Sequence, residues 1–326
     1  MSSIMTNSAA MTALKSLQAT NASLETTQSR ISTGLKVGQA SDNAAYWSIA
    51  TTMRSDNKAL STVQDALGLG SAKVDVAYTG VNSSIEVVDE IKAKLVAARE
   101  PGVDRDKIQS EITELQNQLT SIATSSSFSG ENWLSFNGAS VTKSVVGSFT
   151  RSDAGAVSVG TIDINISNVK LFGNDGAGTP ANDGILNTAN LWGNAAADAD
   201  KIDISVASIN ISTTVLTQTA IDTAQTTGSP SVEDVLDAMI SSADAAITAM
   251  TTAAADLGAS KGRIDMQNDF VSNLMDAIDR GIGTLVDADM TKESTRLSAL
   301  QTQQQLGTQA LSIANSSAQS ILSLFR

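Results

Sequence analysis

Two long stretches of this chain repeat apolar or small residues at alternating spacings of three and four, and this pattern constrains the fold more than any other feature. In the first stretch the positions are Leu60, Val63, Leu67, Gly70, Val74, Ala77, Val81, Ser84, Val88, Ile91, Leu95 and Ala98. In the second they run from Leu236 through Met239, Ala243, Ala246, Met250, Ala253, Leu257, Ile264, Val271, Leu274 and Ile278 to Leu285. The alternation is a heptad seam, which predicts helices that each lay one stripe against a partner. Roughly 55 helical residues would span about 80 Å.

Helix-breaking and capping residues in the sequence predict where some of these helices begin and end. Glu100-Pro101-Gly102 ends the first long helix, and Asp104 is placed to cap the next one. That helix repeats Ile108, Ile112, Leu115, Leu119 and Ile122 at the same spacing. A short connection between two such helices predicts an antiparallel pair. Ser231, after Pro230, is predicted to cap the second long helix.

The middle of the chain has a different composition, which is rich in Gly, Ser, Thr, Asn and Asp. Apolar residues alternate with polar ones over 157–166 and again over 202–211, which predicts strands, and Ser152–Gly155 predicts a hairpin turn. Residues 173–229 carry a local net charge of −5, from six Asp and one Lys. The predicted fold is therefore mainly α, with long antiparallel coiled-coil helices formed by both chain ends and a small β-rich central insertion.

Both termini have a seam but almost no charge. Residues 297–325 contain no charged side chain, and residues 1–24 contain only Lys15. A helix at a protein surface normally carries charge on its outer face. These helices therefore suit a site where other copies of the chain cover both faces, although an N–C coiled coil within a monomer would also fit. The predicted seam residues are Leu14, Leu17, Asn21, Leu24, Gln28, Ile31, Leu35, Leu297, Leu300, Gln304, Gly307, Leu311, Ala314, Ala318, Ile321, Leu324 and Phe325.

Composition excludes several kinds of chemistry. The chain has no histidine and no cysteine, so it has no zinc finger, iron–sulfur cluster, disulfide or His-based triad. A net charge of −13 argues against non-specific binding to nucleic acid. Gly68–Lys73 lacks the spacing of a phosphate loop and is interpreted as small residues at a helix contact. We predict no enzymatic activity, no metal and no cofactor. The N-terminus also lacks the basic and apolar regions of a cleaved secretory signal.

Both ends of the chain resemble bacterial flagellins. The resemblance is carried by QSRISTGLKVGQASDNAAYWSIA at residues 28–50 and by ALQTQQQLGTQALSIANSSAQSILSLFR at the C-terminus. The segments SDNAAYWSIATTMRSDN and FSGENWL are most similar to those of flagellins from rhizobia and related α-proteobacteria. One departure is Tyr46-Trp47, where most members of the family have Gly-Leu.

The resemblance implies a structural subunit of the flagellar filament, which transmits motor torque for swimming and lies outside the cell. Implied partners are other flagellin subunits, the flagellar type III export apparatus, a flagellin chaperone, and the filament cap and hook-junction proteins, without nucleic acid or membrane insertion. A hook–filament junction protein, or a filament subunit with an added adhesive role, is the alternative. The candidates for contacts between subunits are Arg30, Ser41, Asp42, Asn43, Tyr46 and Trp47.

Three domains follow from this reading. Residues 1–40 and 288–326 would form a terminal helical domain at the filament core, and residues 41–172 and 230–287 a long helical bundle with a β-hairpin. Residues 173–229 would be a variable outer insertion.

Overall fold

The computed structural model describes residues 7–136, 142–152, 155–174, 180–181, 184–188, 191–192, 202–216 and 231–324. Its helices are α1 (Ser8–Thr33), α2 (Ala44–Ala98), α3 (Arg105–Ser125), α4 (Val232–Val286) and α5 (Met290–Leu324). The chain divides into two compact units. The terminal unit comprises residues 1–59 and 273–326, and the central unit comprises residues 60–272. The mainly helical fold is confirmed, whereas the three-domain division stays a prediction.

The strands are short except for one pair. They are β1 (Ser127–Phe128), β2 (Glu131–Asn132), β3 (Ser135–Phe136), β4 (Thr142–Arg151), β5 (Val157–Asn165), β6 (Phe172–Asn174), β7 (Pro180–Ala181), β8 (Leu191–Trp192) and β9 (Ile202–Asp203). Strands β4 and β5 pair antiparallel, as do β1 with β2, β6 with β7 and β8 with β9, while β3 pairs parallel to β6. The predicted hairpin is therefore present, with β4 and β5 on either side of Ser152–Gly155.

The antiparallel packing of α2 on α4 forms the core of the central unit. The predicted seam is buried on α2, and on α4 it is buried as far as Val271, whereas Leu274, Ile278 and Leu285 are half-buried. Leu67, Val74, Ile91 and Met250 are among its fully enclosed members. Ion pairs along the edges mark one antiparallel register within the central unit. They join Arg99 to Asp237 at 2.8 Å, Lys92 to Asp244 at 2.5 Å, and Lys261 to Asp75. These side chains are largely exposed, so the pairs fix the register more than they contribute stability.

Helix α3 returns along α2 after a tight turn. Gly102 has a φ of 92°, a left-handed conformation that glycine adopts at little cost. Asp104 occupies the predicted N-cap position, but its side chain makes no capping hydrogen bond. Instead Lys107 donates to it at 3.1 Å, and this contact lowers the pKa of the Asp104 carboxyl. Ser231 and Asp234 do form the predicted cap of α4, since Ser231 N donates to the Asp234 carboxylate at 2.7 Å.

The β4–β5 ribbon lies on α2 at a glycine. A side chain at Gly70 would place its Cβ 2.4 Å from Val145 Cγ1, so the absence of a side chain admits the ribbon. Glu131 ties the ribbon to the helix, because it accepts from Lys73 at 3.0 Å and lies 3.7 Å from Lys143 at the start of β4. The Lys73 hydrogen bond is the main cause that lowers the pKa of Glu131. The interpretation of Gly68–Lys73 as a helix contact therefore fits Gly70.

Residues 202–216 form a strap along α3. Val206, Ile209 and Ile211 are buried, as are Ile112 and Leu119 on α3. The first two residues of the strap pair with β8 as β9, and Ala207 N donates to the Leu186 carbonyl at 2.9 Å. Along α3 the strap's backbone bonds instead to side chains of the helix. Gln116 Nε2 donates to the carbonyls of Val206 at 3.0 Å and Ile209 at 3.1 Å.

Two further residues of α3 complete this arrangement. Gln109 Oε1 accepts from Ile211 N at 2.7 Å, and the Asp106 carboxylate accepts from the Thr213 backbone and hydroxyl. The strands predicted over 202–211 are therefore wrong beyond Ile202–Asp203, because the amide side chains of α3 occupy the backbone groups that a second strand would use.

Two glycines of α2, two positions apart, give a matched test of the ribbon contact. A Cβ at Gly68 meets nothing within 4 Å, so Gly68→Ala should raise the free energy of unfolding by about 0.5–1 kcal/mol through helix propensity. Gly70→Ala should lower it by about 1–2 kcal/mol, because overpacking against Val145 exceeds that gain. Urea unfolding of the soluble monomer measures both, and equal effects would contradict the contact.

The strap gives a second test. Gln116→Ala removes the donor to the Val206 carbonyl and leaves the Ile209 carbonyl with only the longer bond from Gln109 Nε2 at 3.4 Å, so it should destabilise the strap by about 1–2 kcal/mol. The observable is faster proteolytic cleavage within 202–216. Gln118→Ala is the control, because Gln118 is exposed on the same helix. Equal cleavage rates for the two variants would show that the amide bonds do not hold the strap.

Candidate functional site: the terminal helix pair

The connections at the base of α1 and α5 form the small core of the terminal unit. Val37, Ala50, Ile282 and Val286 are buried together. Gly34, with a φ of 73°, ends α1, and its carbonyl accepts from Ala288 N at 2.8 Å. The backbones of Lys36 and Val37 donate to the Val286 carbonyl, and Leu35 forms a β-bridge with Asp287. These bonds fix where α1 ends and where α5 begins.

Helices α1 and α5 pack antiparallel from that base. Asn7 caps α1 by accepting from Ala10 N, and its Nδ2 donates to the Ala314 carbonyl of α5 at 2.9 Å. Midway along the pair Gln304 Nε2 donates to Asn21 Oδ1 at 2.9 Å. The helices approach closely at Gly307, where an added Cβ would lie 3.2 Å from Leu17 Cδ1. Asp289 caps α5 by accepting from the backbones of Thr291 and Lys292.

On α5 the predicted seam faces α1. The less exposed residues on this helix recur at Leu297, Leu300, Gln304, Gly307, Leu311 and Ala314. The backbone of the predicted residues Ile321 and Leu324 is helical. Phe325 lies outside the described residues. The role of these residues in assembly stays a prediction.

On α1 the observed seam shares one set of the predicted positions, and the other set is displaced by one residue. Leu17, Leu24 and Ile31 are half-buried, as is Leu35 beyond the helix, but Leu14, Asn21 and Gln28 are exposed. Ala13, Thr20 and Thr27 take the alternate positions, and Thr27 is fully buried. Small side chains at these positions let the two helices approach, as Gly307 does on α5. The larger Leu14 is thereby left on the flank.

The pair exposes large apolar residues away from its own seam. Leu306 and Ile313 are 59% and 68% exposed. They lie one heptad apart, and at about 100° per residue they project from the side of α5 opposite its contact with α1. On α1, Met11 and Leu14 are exposed as well. Sequence reasoning missed Met11, Leu306 and Ile313, although the heptad spacing of the last two is a signal out of phase with the main seam.

The candidates for contacts between subunits divide into two groups. Three make bonds within the chain: Arg30 bonds to Glu293 at 3.4 Å, Asp42 accepts from the backbones of Gly38 and Gln39, and Asn43 caps α2 by accepting from Tyr46 N. Ser41, Tyr46 and Trp47 are exposed. Ile49, which the sequence does not single out, is exposed in the same turns of α2.

One charged side chain of the pair is nearly enclosed. Glu293, in the first turn of α5, is 7% exposed. One carboxylate oxygen faces Arg30, and its Oε2 has no hydrogen-bond partner in the described structure. A buried carboxylate depends strongly on its cation, so Arg30 positions the start of α5 against α1.

The described residues hold no group of three or more acidic side chains that could bind a metal ion. Within the same ranges, every helix is too polar or too short to cross a membrane.

Comparison with known proteins gives concordant matches at both ends of the chain. Residues 4–139 match the family model of the bacterial flagellin N-terminal helical region, and residues 240–325 match that of the C-terminal helical region. Flagellin C of Rhizobium meliloti strain 1021 is 54% identical over 332 residues, and flagellin A of that strain is 49% identical over 394 residues. A flagellin of Brucella melitensis is 46% identical over 327 residues. Each alignment covers 100% of both proteins. The chain therefore belongs to the bacterial flagellin family, as a member of its rhizobial, α-proteobacterial type.

Proposed function

We propose that this flagellin, a structural subunit of the bacterial flagellar filament, polymerises through the outward sides of its α1–α5 pair. The observation that carries the proposal is the exposure of Leu306 and Ile313 on the side of α5 away from α1. Residues 297–316 present no charge on any side of the helix. Such a surface is poorly solvated and gains free energy when another copy covers it.

The pair buries little by itself. Along the described side chains of α1 and α5, only Thr27 and Glu293 are fully buried, and the seam residues are half-exposed. Fixing a residue in a helix costs on the order of 1–2 kcal/mol of conformational entropy. Burial against neighbouring copies, at about 25 cal/mol per Å², supplies the stabilisation that the isolated pair lacks. Growth is therefore favoured at the end of an existing filament over assembly in free solution.

The geometry of these contacts suits an open polymer. We infer that the outward side of α5 in one copy meets a different surface of the next copy. A heterologous contact repeated with a rotation that does not close generates a helix. Tyr46, Trp47 and Ile49 are further exposed apolar residues in the terminal unit and would add to the contacts between subunits. The resulting tube transmits motor torque for swimming.

The proposed function implies several partners. Other flagellin subunits are the partners in the filament. Export through the flagellar type III apparatus, a chaperone that covers α5 before export, and the cap and hook-junction proteins remain proposals. The exposed apolar side chains of α5 support the chaperone, because they would otherwise promote association inside the cell. The subunit would act outside the cell and have no enzymatic activity.

A charge placed on the outward side of α5 tests the proposal. Ile313 is exposed in the single chain, so Ile313→Asp should leave the monomer folded. It should abolish filament growth, because burying an unpaired carboxylate costs several kcal/mol. The measurement is electron microscopy of purified protein incubated with filament seeds, with Ile313→Val as the control. Filaments of normal length from Ile313→Asp would refute this surface as an assembly contact.

The Arg30–Glu293 pair gives an independent prediction. Arg30→Met leaves the nearly buried carboxylate without its cation, which should cost about 1–3 kcal/mol and lower the temperature at which filaments depolymerise. Adding Glu293→Gln removes the buried charge and should restore part of that temperature. Light scattering on heating measures both variants. If the double variant is no more stable than Arg30→Met, the pair does not act as a positioning contact.

A further inference from the structure

The outer face of the β4–β5 ribbon is apolar where it should be polar. Val145, Ile162 and Ile164 point inward and are buried. On the opposite face Val157 and Val159 are 52% and 55% exposed. Ser158, between them on the other face, is exposed as well, so this end of the ribbon is unpacked on both faces. The two valines therefore form an apolar surface that another molecule can cover.

The strand register enlarges this patch. Phe149 pairs directly with Val159, and Arg151 pairs with Val157. Residues directly opposite each other on paired strands share a face. The outer face therefore combines Phe149, Val157 and Val159 with the cation of Arg151, which also donates to the Gly155 carbonyl at 3.4 Å. We call these four residues the ribbon patch.

A second apolar patch lies on α4 within the same unit. Met266 and Phe270 are 67% and 58% exposed, and they follow one another at helical spacing. They project away from the buried seam residues Ile264 and Val271. The carboxylates of Asp265 and Asp269 border them on one side and Arg263 borders them on the other. We call Met266, Phe270, Asp265 and Asp269 the α4 patch.

We propose that the ribbon patch of one subunit docks on the α4 patch of a second copy of this chain in the filament. Both patches centre on exposed apolar side chains. The charges beside them are opposite in sum, with Arg151 on the ribbon, and with Asp265 and Asp269 outnumbering Arg263 on the helix. The inference rests on the proposed function, because polymerisation is what brings a second copy to these surfaces.

The size of the patches argues that the contact forms only within the polymer. A stable interface buries about 800 Å² on each partner, more than two or three side chains supply. The patches would therefore not dimerise the free subunit. Once the terminal pairs of neighbouring copies hold them together, the effective concentration is high and a small contact contributes. Two different surfaces meet, so the contact is heterologous and compatible with a helical polymer.

Because the chain has no cysteine, disulfide cross-linking can test this contact directly. One preparation carries Val159→Cys and another carries Phe270→Cys, and the two are mixed, grown on filament seeds and treated with a mild oxidant. A disulfide forms only when the two Cβ atoms come within about 4.5 Å. Mixing single variants excludes a bond within one chain. In one control mixture Ser158→Cys, on the other face of β5, replaces Val159→Cys. In the other, Thr252→Cys, exposed elsewhere on α4, replaces Phe270→Cys.

We expect a covalent dimer in filaments from the Val159→Cys and Phe270→Cys mixture, absent from the free monomers and from both control mixtures. Loss of growth confined to Val159→Cys or Phe270→Cys, with the helical circular dichroism of the monomer intact, would also support the contact. Filaments without that dimer, or with equal dimer from the controls, overturn the proposal. So does a dimer from Phe270→Cys alone, which would mean that two α4 patches meet each other. Failure of the unmodified protein to grow on seeds would instead refute the proposed function.

Discussion

The packing of α2 against α4 in one unbroken register is the interaction on which the central unit depends. Each seam residue of one helix meets a fixed set on the other, and the ion pairs at Arg99–Asp237, Lys92–Asp244 and Lys261–Asp75 mark the same register at points far apart along the helices. A slip by one heptad would keep most apolar contacts but would separate all three pairs. The other elements of the unit pack on this helix pair. Helix α3 and the ribbon lie on α2, and the strap lies along α3.

Small residues decide where other elements may approach a helix. Gly70 admits Val145, and Gly307 admits Leu17. In α1 the small residues Ala13, Thr20 and Thr27 bring α5 close and so move the seam off Leu14. In each case a close backbone approach is gained by omitting a side chain, and a larger residue nearby is left on the surface. Leu14 is exposed for this reason.

The two units expose apolar residues in different ways. In the terminal unit, a weakly buried helix pair, uncharged over residues 297–316, carries Leu306 and Ile313 on its outward side. In the central unit, a well-buried core leaves two separate patches bordered by charge. A polymer built from both would be held mainly through the terminal pair, and the central patches would add orientation.

The sequence by itself determined the long helices, the seams of α2 and α3, the end of α2 and the starts of α3 and α4, because heptad spacing, proline position and capping residues act locally. It also identified the central seam residue by residue and the hairpin. Only the tertiary structure decided which stripe of α1 faces α5, since Leu14 and Ala13 both satisfy a heptad pattern and the choice depends on how closely the partner can approach.

Tertiary contacts also decided that residues 204–211 are a strap rather than a strand. The strap's alternating pattern resembles a strand, but its backbone groups are taken by Gln109 and Gln116, which lie about a hundred residues earlier in the chain. The same limit applies to the exposed patches. Periodicity marks Met266, Phe270 and Val159 as apolar, but only the packed fold shows which of their neighbours are absent, because exposure is a property of three-dimensional neighbours.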